Sequence, residues 1–371
     1  MEYTQERFAT FHDYGDAHPP APVEEATVVV PIAERDHASP AANRAMEKLE
    51  AVDPGRVLIA LRADGEAVEK IVDWLDSFDF DGTVLWCTAP AIRTTLEANG
   101  IDSAAGKGRD VWLGIGVASQ SEYVVVHDAD AMTYDTAHVP KLLFPLANGY
   151  EFSKGYYARV ENEQLYGRLF RLFYTPLVQV LESEYHHPFV SYLDGFRYAL
   201  AGEFAVTSEA AQSLRSPSGW GLEVGTLGDT FDFAGFEGTA QVDLGIHRHE
   251  HRAVEGSGGL GQMCAEVGET LFTVLEEQGI ELDYDRLRSQ YHDRADRIVE
   301  QYAGDAAFNG FSFDEQREHA QAATYAEAIR PPTDDDRLPA WREISLEPAT
   351  VTQLSAEAID RVTGDRTAGR D

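Results

Sequence analysis

Short apolar runs punctuate the first third of the chain. The first covers residues 27–32, and similar β-rich runs recur at 56–61, 83–87 and 123–126. Their near-continuous apolar character suits strands buried on both faces. Between them, 66–74 and 91–98 are helix-compatible, and the alternation predicts an α/β fold: a mostly parallel, doubly wound, twisted sheet flanked by helices. Such sheets bind ligands beyond the carboxyl ends of their strands. That directs attention to Pro31–Arg35 at the end of the first run, which includes Glu34, and especially to His127–Asp130 after the fourth.

Further on, Leu165, Leu169, Leu172, Phe173, Leu177, Val180 and Leu181 recur at three- and four-residue steps. This predicts a helix over 165–181 with one buried face despite Pro176, and with Arg168 and Arg171 on its opposite side. Residues 200–206 read as another strand, 219–232 as a Gly-rich stretch, and 241–246 as a β-like run. Beyond Gly261 the pattern is mostly helical and charged, with a linker expected at 331–336 and partial disorder after 357. Residues 1–25, polar and carrying Pro19, Pro20 and Pro22, read as an irregular arm. The expected organisation is thus an arm (1–25), a catalytic α/β unit (26–255) and a helical C-terminal extension (256–371), in keeping with a chain of 371 residues, too long for one compact core.

Charge alters the picture. The formal net charge is -34, which opposes association with nucleic acid, because a polyanion gains nothing from meeting another. The acids are spread along the whole chain, so the charge reads as adaptation to a salty cytoplasm rather than to one partner. No run approaches the roughly 20 apolar residues that a membrane span needs, and the start of the chain lacks a signal-like pattern. Cys87 and Cys264 are the only cysteines, too few for a disulfide framework or a four-cysteine zinc site. A cytoplasmic protein is expected, with a homodimer left open.

Candidate chemistry sits where the strands end. Asp128 and Asp130 follow Tyr-Val-Val-Val, so a buried strand delivers two carboxylates to the ligand edge. A D-x-D pair offers the hard oxygen ligands that Mg2+ or Mn2+ accepts; aspartates at a strand end also commonly cap a turn. His247, His249 and His251 alternate after the run 241–246 and would project to one side of a continued strand, either as metal-binding imidazoles or as solvated side chains. Gly106-Lys107-Gly108 sets an ammonium between two flexible residues ahead of a helix at 111–117, although it is not a P-loop. Glu223 lies in Gly219-Trp220-Gly221-Leu222-Glu223-Val224-Gly225, where glycines let backbone approach a sugar; equally, a first-turn glutamate complements a helix dipole. Arg168 could grip an acceptor carboxylate or phosphate, or pair with a surface acid.

In their order, these blocks resemble the glucosyl-3-phosphoglycerate synthases and related mannosylglycerate-type enzymes, which are GT-A glycosyltransferases. The resemblance runs from about Val28 to His251. It rests on Val28-Val29-Val30-Pro31, Gly106-Lys107-Gly108 with Trp112, and His127-Asp128-Ala129-Asp130. Lys154-Gly155-Tyr156-Tyr157, Gly167-Arg168, Leu200-Ala201-Gly202-Glu203-Phe204, the Glu223 block and Gln241-Val242-Asp243-Leu244-Gly245 extend it.

The resemblance implies a retaining, metal-dependent transfer of a hexose from a UDP- or GDP-linked donor to a small acidic acceptor. Asp128, Asp130 and His249 would hold Mg2+ or Mn2+. Pro31, Glu34, Lys107, Asp128 and Glu223 would bind the donor, Glu223 and Asp130 would be catalytic, and Gly167, Arg168, His247 and His251 would face the acceptor. The chain departs from the family pattern at Ala33-Glu34-Arg35-Asp36 on the nucleotide side. On the acceptor side, Phe170 replaces a threonine, His247 an arginine and His251 an asparagine. Other acceptors (glycerate, a glycan or a lipid), sugar-nucleotidyl transfer and non-catalytic nucleotide-sugar binding are the competing expectations.

Overall fold

A computed structural model describes residues 5–101, 104–248, 259–333 and 335–364. Ten strands are seen there: β1 Ala9–Phe11, β2 Ala26–Ala33, β3 Arg56–Arg62, β4 Gly82–Trp86, β5 Tyr123–Val126, β6 Phe152–Ala158, β7 Val160–Glu161, β8 Gln164–Leu165, β9 Phe204–Thr207 and β10 Thr239–Ile246. Eight of them form one sheet in the order β1-β10-β6-β9-β5-β2-β3-β4, and β7 and β8 form a separate small hairpin. Within the sheet only β9 runs antiparallel to its neighbours. The expected α/β, GT-A-like sheet is therefore present. Val28, Val29 and Val30 of β2, and Val124 and Val125 of β5, are fully buried, as strands covered on both faces require.

The chain leaves β2 toward β3 and β4 on one side and returns to β5 on the other. This switch sets the ends of β2 and β5 side by side, paired in register from Ala26 opposite Tyr123 to Val29 opposite Val126, and opens a crevice beyond them. The helix Lys107–Ala118 packs against β2 and β3 and points its first residue into that crevice.

Two expectations are corrected. The N-terminal arm contains a sheet strand: β1 pairs in parallel with β10, and Phe8 is buried against Tyr192 and Phe196. It covers what would otherwise be an open sheet edge, a long-range contact invisible in a polar, proline-rich stretch. Nor does one helix span 165–181. The β7–β8 hairpin ends there, Gly167 turns at φ +75°, and a π-helical turn Leu169–Tyr174 leads into the helix Thr175–Tyr185. Pro176 sits in the first turn of that helix, where its missing N–H costs nothing. Arg171 is buried rather than solvated, because the helices Tyr284–Asn309 and Glu315–Tyr325 cover this face.

The C-terminal helices are part of the same packing. Helix Pro348–Gly364 lies along β4, and Ser355 Oγ accepts from the edge N–H of Trp86 at 2.7 Å. Trp341 stacks on Trp112 with ring centroids 4.7 Å apart, above Gly116, where a Cβ would lie 1.9 Å from the Trp341 ring. No helix among the described residues is long and apolar enough to cross a membrane.

Candidate functional site

The structure brings Lys107, Asp128 and Glu223 together from three elements. Lys107 opens its helix, Asp128 follows β5, and Glu223 lies in the first turn of the helix Leu222–Phe233. Lys107 Nζ is 2.8 Å from Asp128 Oδ1 and 3.5 Å from Glu223 Oε1. Burial alone would lower the lysine's pKa, but the charges of Asp128 and Glu223 outweigh it and hold the ammonium well above the ordinary lysine range. A permanent cation thus sits between two carboxylates at the mouth of the crevice.

Glycines make this approach possible. A Cβ at Gly106 would lie 2.1 Å from the Ser218 carbonyl oxygen, and one at Gly108 would lie 1.9 Å from that of Pro217. The 217–219 segment therefore lies directly on the helix start. Ser216 Oγ donates to the Gly108 carbonyl, and the Leu338 N–H donates to Ser216 O at 2.8 Å. The chain after the expected 331–336 linker thereby braces the lysine turn. Gly202 lies under Asp128, where a Cβ would meet Oδ2 at 2.5 Å.

Beneath the aspartates, His127 is fully buried and shares a 2.7 Å hydrogen bond with the Tyr134 hydroxyl. Burial holds its pKa down to about 4, so the ring stays neutral near pH 7. Asp130 lies two residues beyond Asp128, partly buried. Just after it, Met132 N–H donates to the Arg248 carbonyl at 2.7 Å, and Arg248 N–H donates to Thr133 Oγ1 at 3.2 Å. The D-x-D segment and the end of β10 are therefore joined. His249 and His251 lie outside the described residues.

On the other side of the crevice, a cleft of about 410 Å³ is lined by Ala33, Glu34, Arg62, Asp64, Thr88 and Trp220 among others, within the size range of nucleotide-sized sites. Glu34 Oε2 accepts from the Asp64 N–H, tying the ends of β2 and β3. Pro31 lies inside β2, opposite Ala60, two residues before the strand ends at Ala33. Trp220, partly exposed, projects at the rim.

The acceptor-side candidates gather beyond β6. His247 is buried, with its ring stacked on Tyr157 at 4.1 Å and 18°. A Cβ on Gly167 would meet the Tyr198 hydroxyl at 2.8 Å, and Phe170 packs on Tyr198. Arg168 turns toward the C-terminal helices: its Nε donates to Glu318 Oε1 at 2.6 Å, while Arg171 NH2 lies 2.9 Å from Glu318 Oε2.

Two charged residues not singled out by their chemistry in the sequence also reach this region. Lys154, in the quoted Lys-Gly-Tyr-Tyr block, is buried with its Nζ donating to the Ala201 carbonyl at 2.6 Å. Burial pulls its pKa down to about 8, against the opposing charges of Glu223 and Glu203. Arg159 follows β6 at the ligand edge, its NH1 3.5 Å from the Tyr198 hydroxyl. Lys154 stands in a strand buried on both faces, where a lysine in an otherwise uncharged run is itself a signal; nothing local marks Arg159.

No family model matches the chain. Among curated proteins it is 32% identical to the glucosyl-3-phosphoglycerate synthase of Methanococcoides burtonii, over 94% of this chain and 95% of that protein. It is 33% identical to that of Persephonella marina, over 74% and 72%. Among solved structures, the glucosyl-3-phosphoglycerate synthase of Mycobacterium tuberculosis, in complex with Mn2+, uridine diphosphate and phosphoglyceric acid, superposes with a TM-score of 0.54. That match has 22% identity and covers 74% of this chain and 88% of the other. A second structure of the same enzyme, with Mg2+ and uridine diphosphate, gives the same TM-score of 0.54 at 21% identity. With near-complete coverage at this identity, the chain belongs to the glucosyl-3-phosphoglycerate synthase family of glycosyltransferases.

Proposed function

We propose that this chain transfers glucose from UDP-glucose to 3-phosphoglycerate with retention at the anomeric carbon, using Mg2+ or Mn2+. The observation that carries the reading is the partly buried Lys107 cation held between Asp128 and Glu223 at the sheet's switch point. It is supported by relatives named for that reaction and by solved complexes of a relative with UDP-glucose and phosphoglyceric acid.

The residues present fit a divalent ion. Asp128 and Asp130 supply hard oxygen donors, and the Met132 N–H and the Thr133 hydroxyl oxygen join this segment to the backbone of Arg248, the residue before His249. Asp128, Asp130 and His249 would hold the metal, whose charge would stabilise the departing diphosphate. Lys107 adds a fixed ammonium on the same side. Glu34 and the β2 end beyond Pro31 bind the nucleoside in the cleft, and Glu223 orients the sugar hydroxyls. The bond between the anomeric carbon and the diphosphate oxygen breaks; the acceptor hydroxyl oxygen bonds to that carbon on the same face and gives its proton to the departing diphosphate oxygen. Gly167, Arg168, His247 and His251 would face the acceptor. The surface charge suits a salty cytoplasm, in which screening at molar salt acts within about 3 Å.

Mass spectrometry of products from a panel of nucleotide sugars and acceptors, with Mn2+ or Mg2+ in high salt, tests the reading. Glucosyl-3-phosphoglycerate is the expected product. Transfer to glycerate, a glycan or a lipid without transfer to 3-phosphoglycerate would overturn the acceptor, and pyrophosphate release from a nucleoside triphosphate would overturn the reaction class. Asp130→Ala should weaken Mn2+-dependent UDP-glucose binding by about 100-fold or more, since even supporting residues around a metal cost up to about that factor; unchanged binding by calorimetry would remove the metal assignment.

A further inference from the structure

The acceptor of the proposed reaction is a small dianion or trianion, and its site needs a cation with free donors. Arg168, the residue expected from the sequence, shares Glu318 with Arg171, so much of its charge is already compensated within the protein. Arg159 is different. It is the first residue past β6, at the edge where Asp128 and Asp130 emerge, and Asp130 is close enough for its charge to act on the guanidinium. Its Cδ is 3.5 Å from where a Cβ on Gly167 would be, and the π-helical turn that follows Gly167 closes the same corner. Of the five N–H donors of a guanidinium, its only hydrogen bond among the described residues is the long one from NH1 to the Tyr198 hydroxyl. Its Nε is buried and has no partner there. Buried donors are normally satisfied, and a planar fork left open beside a reaction centre suits a carboxylate or phosphate.

We propose that Arg159, rather than Arg168 alone, receives the anionic group of the acceptor, and that it is the specificity-determining cation of this site. The Tyr198 hydroxyl holds the guanidinium, and Tyr198 is itself packed on Tyr157 and Phe170, with His247 stacked on Tyr157. The inference rests on the proposed acceptor chemistry. It also accounts for how a chain with Phe170 and His247 at two family acceptor positions can still hold an acid.

The test compares the full-length protein with Arg159→Met and Arg159→Lys in high salt with Mn2+. Calorimetric binding of 3-phosphoglycerate should weaken at least 30-fold in Arg159→Met and recover in part in Arg159→Lys, with UDP-glucose binding and melting temperature unchanged. In product formation, KM for 3-phosphoglycerate should rise far more than kcat falls. Acceptor binding within twofold of wild type in Arg159→Met, or parallel losses for UDP-glucose and acceptor, would overturn the assignment. If the wild type binds 3-phosphoglycerate through Arg159 but never glucosylates it, the activity reading fails while the arginine's role stands. If the wild type does not bind it at all, both fail.

Discussion

Arg168 and Glu318 are 150 residues apart in the chain and meet at 2.6 Å. The same carboxylate takes Arg171 at 2.9 Å, with both side chains only 5% exposed. Glu318 therefore fastens the helix Glu315–Tyr325 over the start of the π-helical turn. Removing one partner of a buried ion pair leaves the other charged and desolvated. Glu318→Ala should cost about 3 kcal/mol in urea unfolding, by the usual penalty for breaking a buried pair. A double-mutant cycle with Arg171→Met should show strong coupling, and additive losses would mean that the contact does not hold the helix.

Much of this architecture was legible in the apolar pattern. Residues 123–126 are predicted and observed as the same strand, and β2, β3 and β4 differ from expectation by one or two residues. β2, β3 and β5 are buried on both faces, so their own side chains declare them. β1 was hidden because three residues paired at an edge carry no periodic signal and depend on a partner more than 200 residues away. The break at 165–174 was hidden because Gly167 and the widened turn keep the helical spacing of leucines while changing the backbone. Lys107, Asp128 and Glu223 could be named from motifs, and the structure places them within hydrogen-bonding and ion-pair reach. The engagement of Arg168 by Glu318, and the open fork of Arg159, depend on tertiary packing and had no local signature.

Lys107 tests the electrostatic centre. Its ammonium is held charged by Asp128 and Glu223, so its loss both removes a fixed cation and leaves two carboxylates facing one another. Lys107→Met should lower kcat by about 10²- to 10³-fold, the range found when one preorganised stabilising donor is removed. Steady-state kinetics at saturating Mn2+ is the measurement. A variant with near-normal kcat would show that the lysine only packs the site.

Gly108 tests how the lysine is positioned. A methyl group there would lie 1.9 Å from the Pro217 carbonyl oxygen, so either the helix start or the 217–219 segment must move. Backbone cannot yield as a flexible side chain does, and overpacking typically costs about 1 to 3 kcal/mol. Gly108→Ala should lower thermal stability by that order and reduce UDP-glucose affinity, since Lys107 and Trp220 flank the two displaced segments. Gly149→Ala, where a Cβ has no neighbour within 4 Å but φ is +94°, separates backbone strain from collision: it should lose stability without losing affinity.

Asp13 tests whether the N-terminal segment is anchored. Burial alone would raise its pKa, but the hydrogen bond from Lys141 Nζ at 2.6 Å, and those from the Gly15 and Ala17 N–H groups, outweigh it and pull the carboxyl to about 2 from 3.8. A carboxylate whose folded pKa is depressed adds stability above its unfolded pKa and loses it as pH falls through the folded one. The Asp13 contribution should therefore be complete above about pH 4 to 5, fall steeply toward pH 2 and vanish below it. Asp13→Asn keeps the shape and removes the charge. Discounted for the screening of a partly exposed pair, it should cost about 1 kcal/mol at pH 6 and only a small fraction of that at pH 2, read by urea unfolding at both. Equal stability of the two proteins at pH 6 would mean that β1 reaches the sheet without this tether, held by Phe8 and the β10 ladder alone.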